Sequence, residues 1–345
     1  MSVAIRSFGT SSANIYKLIS ENGYELSTTN LGAAITSLLV PDGKGGKTDI
    51  VLGYATYNGY INGTAYMGAT IGRIANRITD GEFQLGDKTY RLDKNEGRNT
   101  LHGGADSYHT RIWDANINDE PNSITFSLNS HHGDQGMPGN AHITVTYTLT
   151  DSNAVIISYM ASSDRDTLFN LTNHTYFNLD GYSGGKIGNQ YLWLNADRFT
   201  PVNEELIPTG EIRSVSGTPF DFTDPKPIGR DITAKDPQIS ICHGYDHNFI
   251  LNKRDHGEPF AKAISAKTRI SMTAYTDLPG VQLYTGNRLN PDMEPKGRNK
   301  ITRHSGFCLE TQFFPDAPHH EHFPSILFRA GRNFESTTIY RFTIE

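Results

Sequence analysis

Apolar and polar positions alternate over short stretches along most of the chain, and turn residues interrupt the pattern every few positions. Residues 15–20 and 24–29 flank Asn22-Gly23, a dipeptide suited to the positive φ values of a two-residue hairpin. Residues 35–40 run into Pro41-Asp42-Gly43, and 50–53 close a second hairpin. A third is predicted over 81–92 around Gly86-Asp87. Further strands are predicted at 124–129, 143–150, 155–161, 169–179, 191–195, 198–202, 249–251, 261–266, 270–275, 281–285, 307–313 and 338–344. Residues 54–68, 95–104, 131–140, 181–188, 207–236 and 290–302 read as loops or weakly structured segments. Almost no twelve-residue window shows helical periodicity with caps. With no internal repeat and no break in composition, the pattern predicts one all-β domain over residues 1–345, a large antiparallel sandwich or barrel.

Four stretches carry polar groups on an otherwise core-forming pattern. In 169–179, Leu171, Thr175, Phe177 and Leu179 share one face of a strand, while Thr172, His174, Tyr176 and Asn178 share the other. In 307–315, Phe307, Leu309 and Phe313 alternate with Cys308, Glu310 and Gln312. A strand that buries only its apolar face sends the other to water or into a cleft. The reading is a scaffold that brings His174 and Glu310 to opposite sides of one small polar ligand. The third stretch, 244–251, holds Asp246, with His247 expected to point the opposite way. In the fourth, 280–287, Gln282 and Tyr284 alternate with Val281 and Leu283. Two loops add Asn76, Arg77 and His102.

Each of these residues also has an ordinary reading. A strand histidine is usually structural or solvated, and Glu310 alone could face solvent, although Cys308 on its face argues against that because Cys is mostly buried. Arg73 and Arg77 on a Gly-rich loop read as surface charges, His102 as a loop residue, and Asp246 as a turn cap.

Composition narrows the field. Charged residues make up 20% and the net charge is −6, so the clustered Lys and Arg of a nucleic-acid or anionic-membrane surface are not expected. No run approaches the ~18 apolar residues of a membrane span. Residues 1–16 lack a signal-peptide pattern, and the two cysteines have no metal or redox spacing. Together these point to a reduced, cytoplasmic protein with buried free thiols. His131-His132 and the 319–322 His tract lack a second ligand cluster, so no metal is expected. The run Gly72-Arg-Ile-Ala-Asn76 lacks the context of a nucleotide loop, and no cofactor is expected. The 17 Tyr and 17 Phe, beside 2 Trp, suit strands and stacking on sugar rings.

Five motifs then converge: Gly72-Arg-Ile-Ala-Asn-Arg77, Asn99-Thr-Leu-His-Gly-Gly104, Asn170-Leu-Thr-Asn-His-Thr-Tyr-Phe-Asn-Leu179, Gly244-Tyr-Asp-His-Asn-Phe249 and Cys308-Leu-Glu-Thr-Gln312. In this order, over nearly the whole chain, they resemble the aldose 1-epimerase (galactose mutarotase) family. The resemblance implies a galactose mutarotase-like β-sandwich, with His174 as general acid and Glu310 as general base. It implies that Asn76, Arg77, His102, Asp246 and Gln282 hold an aldose substrate such as galactose or glucose.

The residue types suit that chemistry. Interconverting anomers needs a proton taken from the C1 hydroxyl, one delivered to the ring oxygen, rotation about C1–C2 and reclosure. An acid and a base, each contributing a factor of ~10²–10⁴, can do this without a redox cofactor. The reaction asks for ionised Glu310 and protonated His174, whose reference pKa values are about 4.3 and 6.5. A nearby carboxylate is expected to raise the His174 value and give a bell-shaped rate profile. A hydrolase or lyase on the same sandwich, or a sugar-binding protein without turnover, are the competing readings. The preferred sugar, and monomer versus homodimer, stay open.

Overall fold

The computed structural model describes residues 3–42, 45–118, 122–252, 257–291, 293–297 and 300–345. Three antiparallel sheets carry the architecture. An N-terminal five-stranded sheet follows chain order through Ala4–Phe8, Thr10–Ile19, Glu25–Thr29, Ala34–Pro41 and Lys47–Asp49. A nine-stranded sheet runs spatially through Asp114–Asn118, Ser123–Ser130, Ala141–Leu149, Ala154–Ser163, Phe334–Ile344, Ile270–Thr276, Ala261–Ile264, Tyr191–Leu194 and Lys226–Pro227. A second five-stranded sheet, here the site sheet, runs through Arg213–Ser214, Arg198–Thr200, Asp246–Ile250, Gly280–Tyr284 and Cys308–Gln312.

One core joins the three. Leu26 and Ile35 of the first sheet, Phe126, Val145, Ile157 and Phe342 of the second, and Phe199, Phe249, Val281 and Leu309 of the third belong to one buried cluster. The final strand bridges the two larger layers: Tyr340 Oη donates to the Leu309 carbonyl at 2.8 Å, and the Thr338 and Thr311 hydroxyls meet at 2.6 Å. Along Ala141–Leu149 buried and half-buried positions alternate, the signature of a sheet with one face on the core.

The hairpins at 15–29 and 81–92 form as expected. In the second hairpin the returning strand is Lys47–Asp49 rather than 50–53. The 54–68 segment holds a short helix, Tyr57–Asn62, capped by Thr56 Oγ1, which accepts from the Gly59 N–H at 3.0 Å. A second helix, Pro237–Cys242, follows the Asp236 cap. The largest departure is 169–179, where only Thr172–Asn173 form regular strand. Its main chain bonds in turn to four neighbours: Phe169 N–H to the Ile326 carbonyl, His174 N–H to the Ala69 carbonyl, Leu52 N–H to the Tyr176 carbonyl, and Phe177 to Phe307 in both directions. Both sides are therefore covered, and every residue from Phe169 to Leu179 is buried.

Candidate active site

The site sheet explains how four separated polar residues come together. Its register pairs Asp246 with Tyr284 and Tyr284 with Cys308, and in the next row Asn248 with Gln282 and Gln282 with Glu310. Period-two alternation puts all of these on one face. The other face, with Phe249, Val281, Leu283 and Leu309, enters the core. His247 points into that core as expected, its ring edge-on to Phe220 at 4.6 Å. Because Cys308–Gln312 is a strand next to the core with the 169–179 segment laid over it, all five of its residues are buried.

His174 lies on this polar face. Its Nε2 stands 3.6 Å from Glu310 Oε1, and its Nδ1 stands 3.5 Å from Cys308 Sγ. The expectation of two groups facing each other across a ligand is thus replaced by two groups side by side. Tyr66, Tyr176 and Tyr284 place their ring centroids 5.9, 5.0 and 6.0 Å from that of His174.

Two loops build the facing wall. Asn76 and His102 both adopt left-handed backbone, with φ of 62° and 51°, and they pair reciprocally. The His102 N–H donates to the Asn76 carbonyl at 3.0 Å, and the Asn76 N–H donates to His102 Nδ1 at 3.1 Å. Gly103 makes the close approach possible: at φ +87° a Cβ there would sit 2.2 Å from the Gly72 carbonyl oxygen. Arg77 is buried, and Glu96 accepts from its Nε at 2.5 Å and its Nη2 at 3.1 Å. Arg288 pairs with the same carboxylate at 2.9 Å. Asp246 Oδ1 accepts from Gln282 Nε2 at 2.7 Å, and Gln282 Oε1 accepts from Gln312 Nε2 at 3.4 Å.

Asn76, Arg77, His102, His174, Asp246 and Glu310 therefore line one cleft, together with Tyr66, Tyr176, Tyr284 and Arg288. Its volume of about 180 Å³ lies below the ~300–1,000 Å³ of sites for drug-sized ligands, so it suits a small molecule. Gln282 is not among the residues that line it; its Nε2 donates to Asp246 Oδ1. Neither loop arginine is a surface charge. Arg73 is fully buried in a cage formed by Ser130, the Pro138 and Gly139 carbonyls and Thr167. Tyr176 and Tyr284 were foreshadowed by spacing, two positions beyond His174 and Gln282. Tyr66, Glu96 and Arg288 carried no such signal, since each sits on a loop.

The electrostatics of the centre run against the expectation for His174. Burial outweighs the contribution of its own backbone carbonyl and pulls its pKa down to about 4. Burial, then Asp246, pushes the Glu310 carboxyl well above its ordinary range, with Arg77 opposing. Glu310 Oε2 is buried and has no hydrogen-bond partner among the described residues. Burial, then His174, holds His102 neutral, its pKa well below the ordinary value. Its Nδ1 accepts from the Asn76 backbone, so its one ring proton is on Nε2. His102, His174 and Glu310 have ligand atoms within 4.8 Å of one another, a spacing a metal could use. The His102 tautomer speaks against it: Nε2 presents a proton, which fits a sugar oxygen and repels a cation.

An antiparallel sandwich whose cleft holds a buried imidazole beside a buried carboxyl, ringed by fixed donors and acceptors, has the equipment of a carbohydrate-transforming enzyme. The aldose 1-epimerase family profile matches residues 14–341. Bovine (Bos taurus) galactose mutarotase is 40% identical over 313 residues, covering 91% of this chain and 89% of its own. Aldose 1-epimerase of Escherichia coli K12 is 36% identical over 326 residues, covering 94% and 93%. Among solved structures, a C. elegans aldose epimerase homologue superposes with a TM-score of 0.88 at 31% identity, covering 96% of this chain and 99% of its own. Galactose 1-epimerase of Lactobacillus acidophilus does so with 0.88 at 28% identity, covering 99% of each. The chain belongs to the aldose 1-epimerase family.

Proposed function

We propose that the protein interconverts the α and β anomers of an aldohexose such as galactose or glucose, with His174 as acid and Glu310 as base. The observation that carries this is the adjacency of two buried proton carriers at 3.6 Å. The two oxygens whose protons must move, the C1 hydroxyl and the ring oxygen, are bonded to the same carbon. Acid and base therefore have to stand side by side. Glu310 removes the C1 hydroxyl proton as the C1–ring-oxygen bond breaks, and His174 Nε2 delivers a proton to the ring oxygen. The open aldehyde rotates about C1–C2 and closes with the two transfers reversed, so no proton is gained or lost.

In the free cleft the single proton these steps need belongs on Glu310, because burial and Asp246 disfavour its charge while His174 stays neutral. The sugar reverses that preference: its C1 hydroxyl donates to the carboxylate and its ring oxygen accepts from the imidazolium, and each bond favours the charged form. Arg77 and Asp246 offer a fixed donor fork and an acceptor, Asn76 both functions, and His102 a donor, to the remaining hydroxyls. Gln282 contributes through Asp246. The tyrosines suit the sugar's C–H surfaces. One domain over 1–345 in the cytoplasm, without metal or cofactor, completes the reading. Among the described residues no helix is long and apolar enough to cross a membrane.

The test is polarimetry of freshly dissolved α-D-galactose and α-D-glucose with the wild type, His174→Ala and Glu310→Ala. The wild type should outpace buffer by orders of magnitude, and each substitution should cost ~10²–10⁴-fold. Across pH, the acid limb should fall toward about 4 rather than 6.5, because that is where His174 titrates, and the basic limb should follow the raised Glu310. A wild type no faster than buffer on either sugar would leave oligosaccharide cleavage or sugar binding as the function.

A further inference from the structure

Acid–base histidines commonly hold their second ring nitrogen against a carboxylate or a carbonyl, which fixes the tautomer and raises basicity. At His174 its own backbone carbonyl acts on the ring, and a further partner is added. The side chain facing its Nδ1 is the thiol of Cys308, with Sγ at 3.5 Å, and both residues are buried. Cys308 reaches this place by register: it is two residues before Glu310 on the same strand face, so one strand supplies a neighbour to each nitrogen of the ring. Its other strand neighbour is Tyr284, whose ring also faces His174.

We propose that Cys308 is a positioning residue for the acid–base step, a neutral partner that serves His174 Nδ1 in both of its protonation states. A thiol can donate weakly through S–H and accept weakly through sulfur. When His174 is neutral, its one ring proton stays on Nδ1, where the sulfur accepts it, and Nε2 is left bare toward the cleft and Glu310, able to take up a proton. When His174 is the imidazolium, the sulfur still accepts Nδ1–H, and Nε2 carries the proton that goes to the ring oxygen. Cys308 keeps its own hydrogen throughout, and only Nε2 exchanges a proton with the sugar. A carboxylate in its place would hold the imidazolium and oppose proton delivery. An apolar residue would take this acceptor away from Nδ1–H and let the ring proton settle on Nε2, where it blocks proton uptake. The ionisation of Cys308 is itself suppressed by burial, then by Glu310 and Asp246, so it remains a thiol.

The inference rests on the acid–base role of His174, yet its core claim is measurable without turnover. The ¹⁵N spectrum of imidazole-labelled wild type at neutral pH should show His174 as the Nδ1–H tautomer, assigned by its loss in His174→Ala. Cys308→Ala should shift that signal toward a mixture of tautomers and lower kcat about tenfold with KM unchanged, the size expected for one lost buried hydrogen bond. Cys308→Ser, which can also accept, should restore the Nδ1–H signature and bring kcat to within about threefold of wild type. An Nε2–H tautomer in the wild type would overturn the proposal even if no variant folds. So would a Cys308→Ala protein with unchanged spectrum and kcat. Loss of catalysis on galactose and glucose in the wild type, with the tautomer as expected, would instead count against the proposed function.

Discussion

Arg73 and Glu310 are both charged-type residues at the bottom of the molecule's solvent exposure, 0% and 2%, and the fold treats them in opposite ways. The two terminal nitrogens of the Arg73 guanidinium are met by the Ser130 hydroxyl and carbonyl, the Pro138 and Gly139 carbonyls and Thr167, while its Nε has no partner among the described residues. These neutral acceptors tie the 72–77 loop to the hairpin at 130–140. Glu310 keeps one oxygen with no partner among the described residues and has another carboxylate, Asp246, raising its pKa. A buried group that makes several hydrogen bonds holds architecture in place even with one atom unmet; one that faces a like charge with an oxygen unmet is a standing cost that a ligand can remove. The contrast separates structure from function among residues that burial alone cannot tell apart.

The largest effect should come from breaking the satisfied side. Arg73→Met removes the donor and orphans several buried acceptors at once, each worth ~1–3 kcal/mol, so the loss should reach about 3 kcal/mol or more. The midpoint of urea unfolding reads it, and a variant as stable as wild type would refute the cage as a structural element.

The unsatisfied side should respond with the opposite sign. Glu310→Gln, which removes the proposed base, should raise the unfolding midpoint at neutral pH. The folded-state pKa of Glu310 is raised, so its contribution to stability is full below the unfolded value of about 4.5 and is lost as pH rises through the folded value. Glutamine does not titrate. The advantage of the variant should therefore be absent near pH 4 and grow above it, by about 1–2 kcal/mol, the scale of one orphaned buried group. Equal midpoints across pH would mean that Glu310 is not under strain in the free cleft.

The smallest effect concerns a residue between the two classes. Burial opposes ionisation of Glu96, but its bonds to Arg77, then Arg288, outweigh that and hold its pKa below the usual range. It satisfies Arg77 as the carbonyls satisfy Arg73, yet Arg77 faces the cleft. Glu96→Gln should loosen the guanidinium and raise KM several-fold, up to about tenfold or ~1.4 kcal/mol, with kcat nearly kept. A fall in kcat at constant KM would place Glu96 in the chemistry.

The strands were largely legible because a two-residue period and turn residues mark them locally. The exceptions have local causes. Tyr57–Asn62 is too short to show helical period, and Gly59 and Gly63 pack against Tyr54 where a side chain would collide. Pro237–Cys242 did carry a signal in Asp236-Pro237, a cap followed by proline, inside a segment that otherwise reads as loop. Asp114–Asn118 is an exposed edge whose residues have little strand propensity and are held by pairing with Ser123–Ser130.

For the site, alternation in 308–312 and 280–284 placed Glu310, Cys308 and Tyr284 on a polar face, and the motifs named the wall. Segment 169–179 was misread as a regular strand because period-two patterning records which faces differ, and here both faces are covered by different neighbours. The adjacency of His174 and Glu310, 136 residues apart in the chain, was equally invisible.

The amino-acid sequence by itself determined the all-β character, most of the hairpins and which side chains are candidates for the chemistry, since these rest on local propensity and on chemistry carried by single side chains. Only the tertiary structure decided what those groups are. Register aligned Asp246, Tyr284 and Cys308 in one row and Gln282 with Glu310 in the next. Burial then lowered His174, raised Glu310 and turned two loop arginines into interior residues. Desolvation is a property of everything packed around a group, and the neighbours that impose it are distant in the chain.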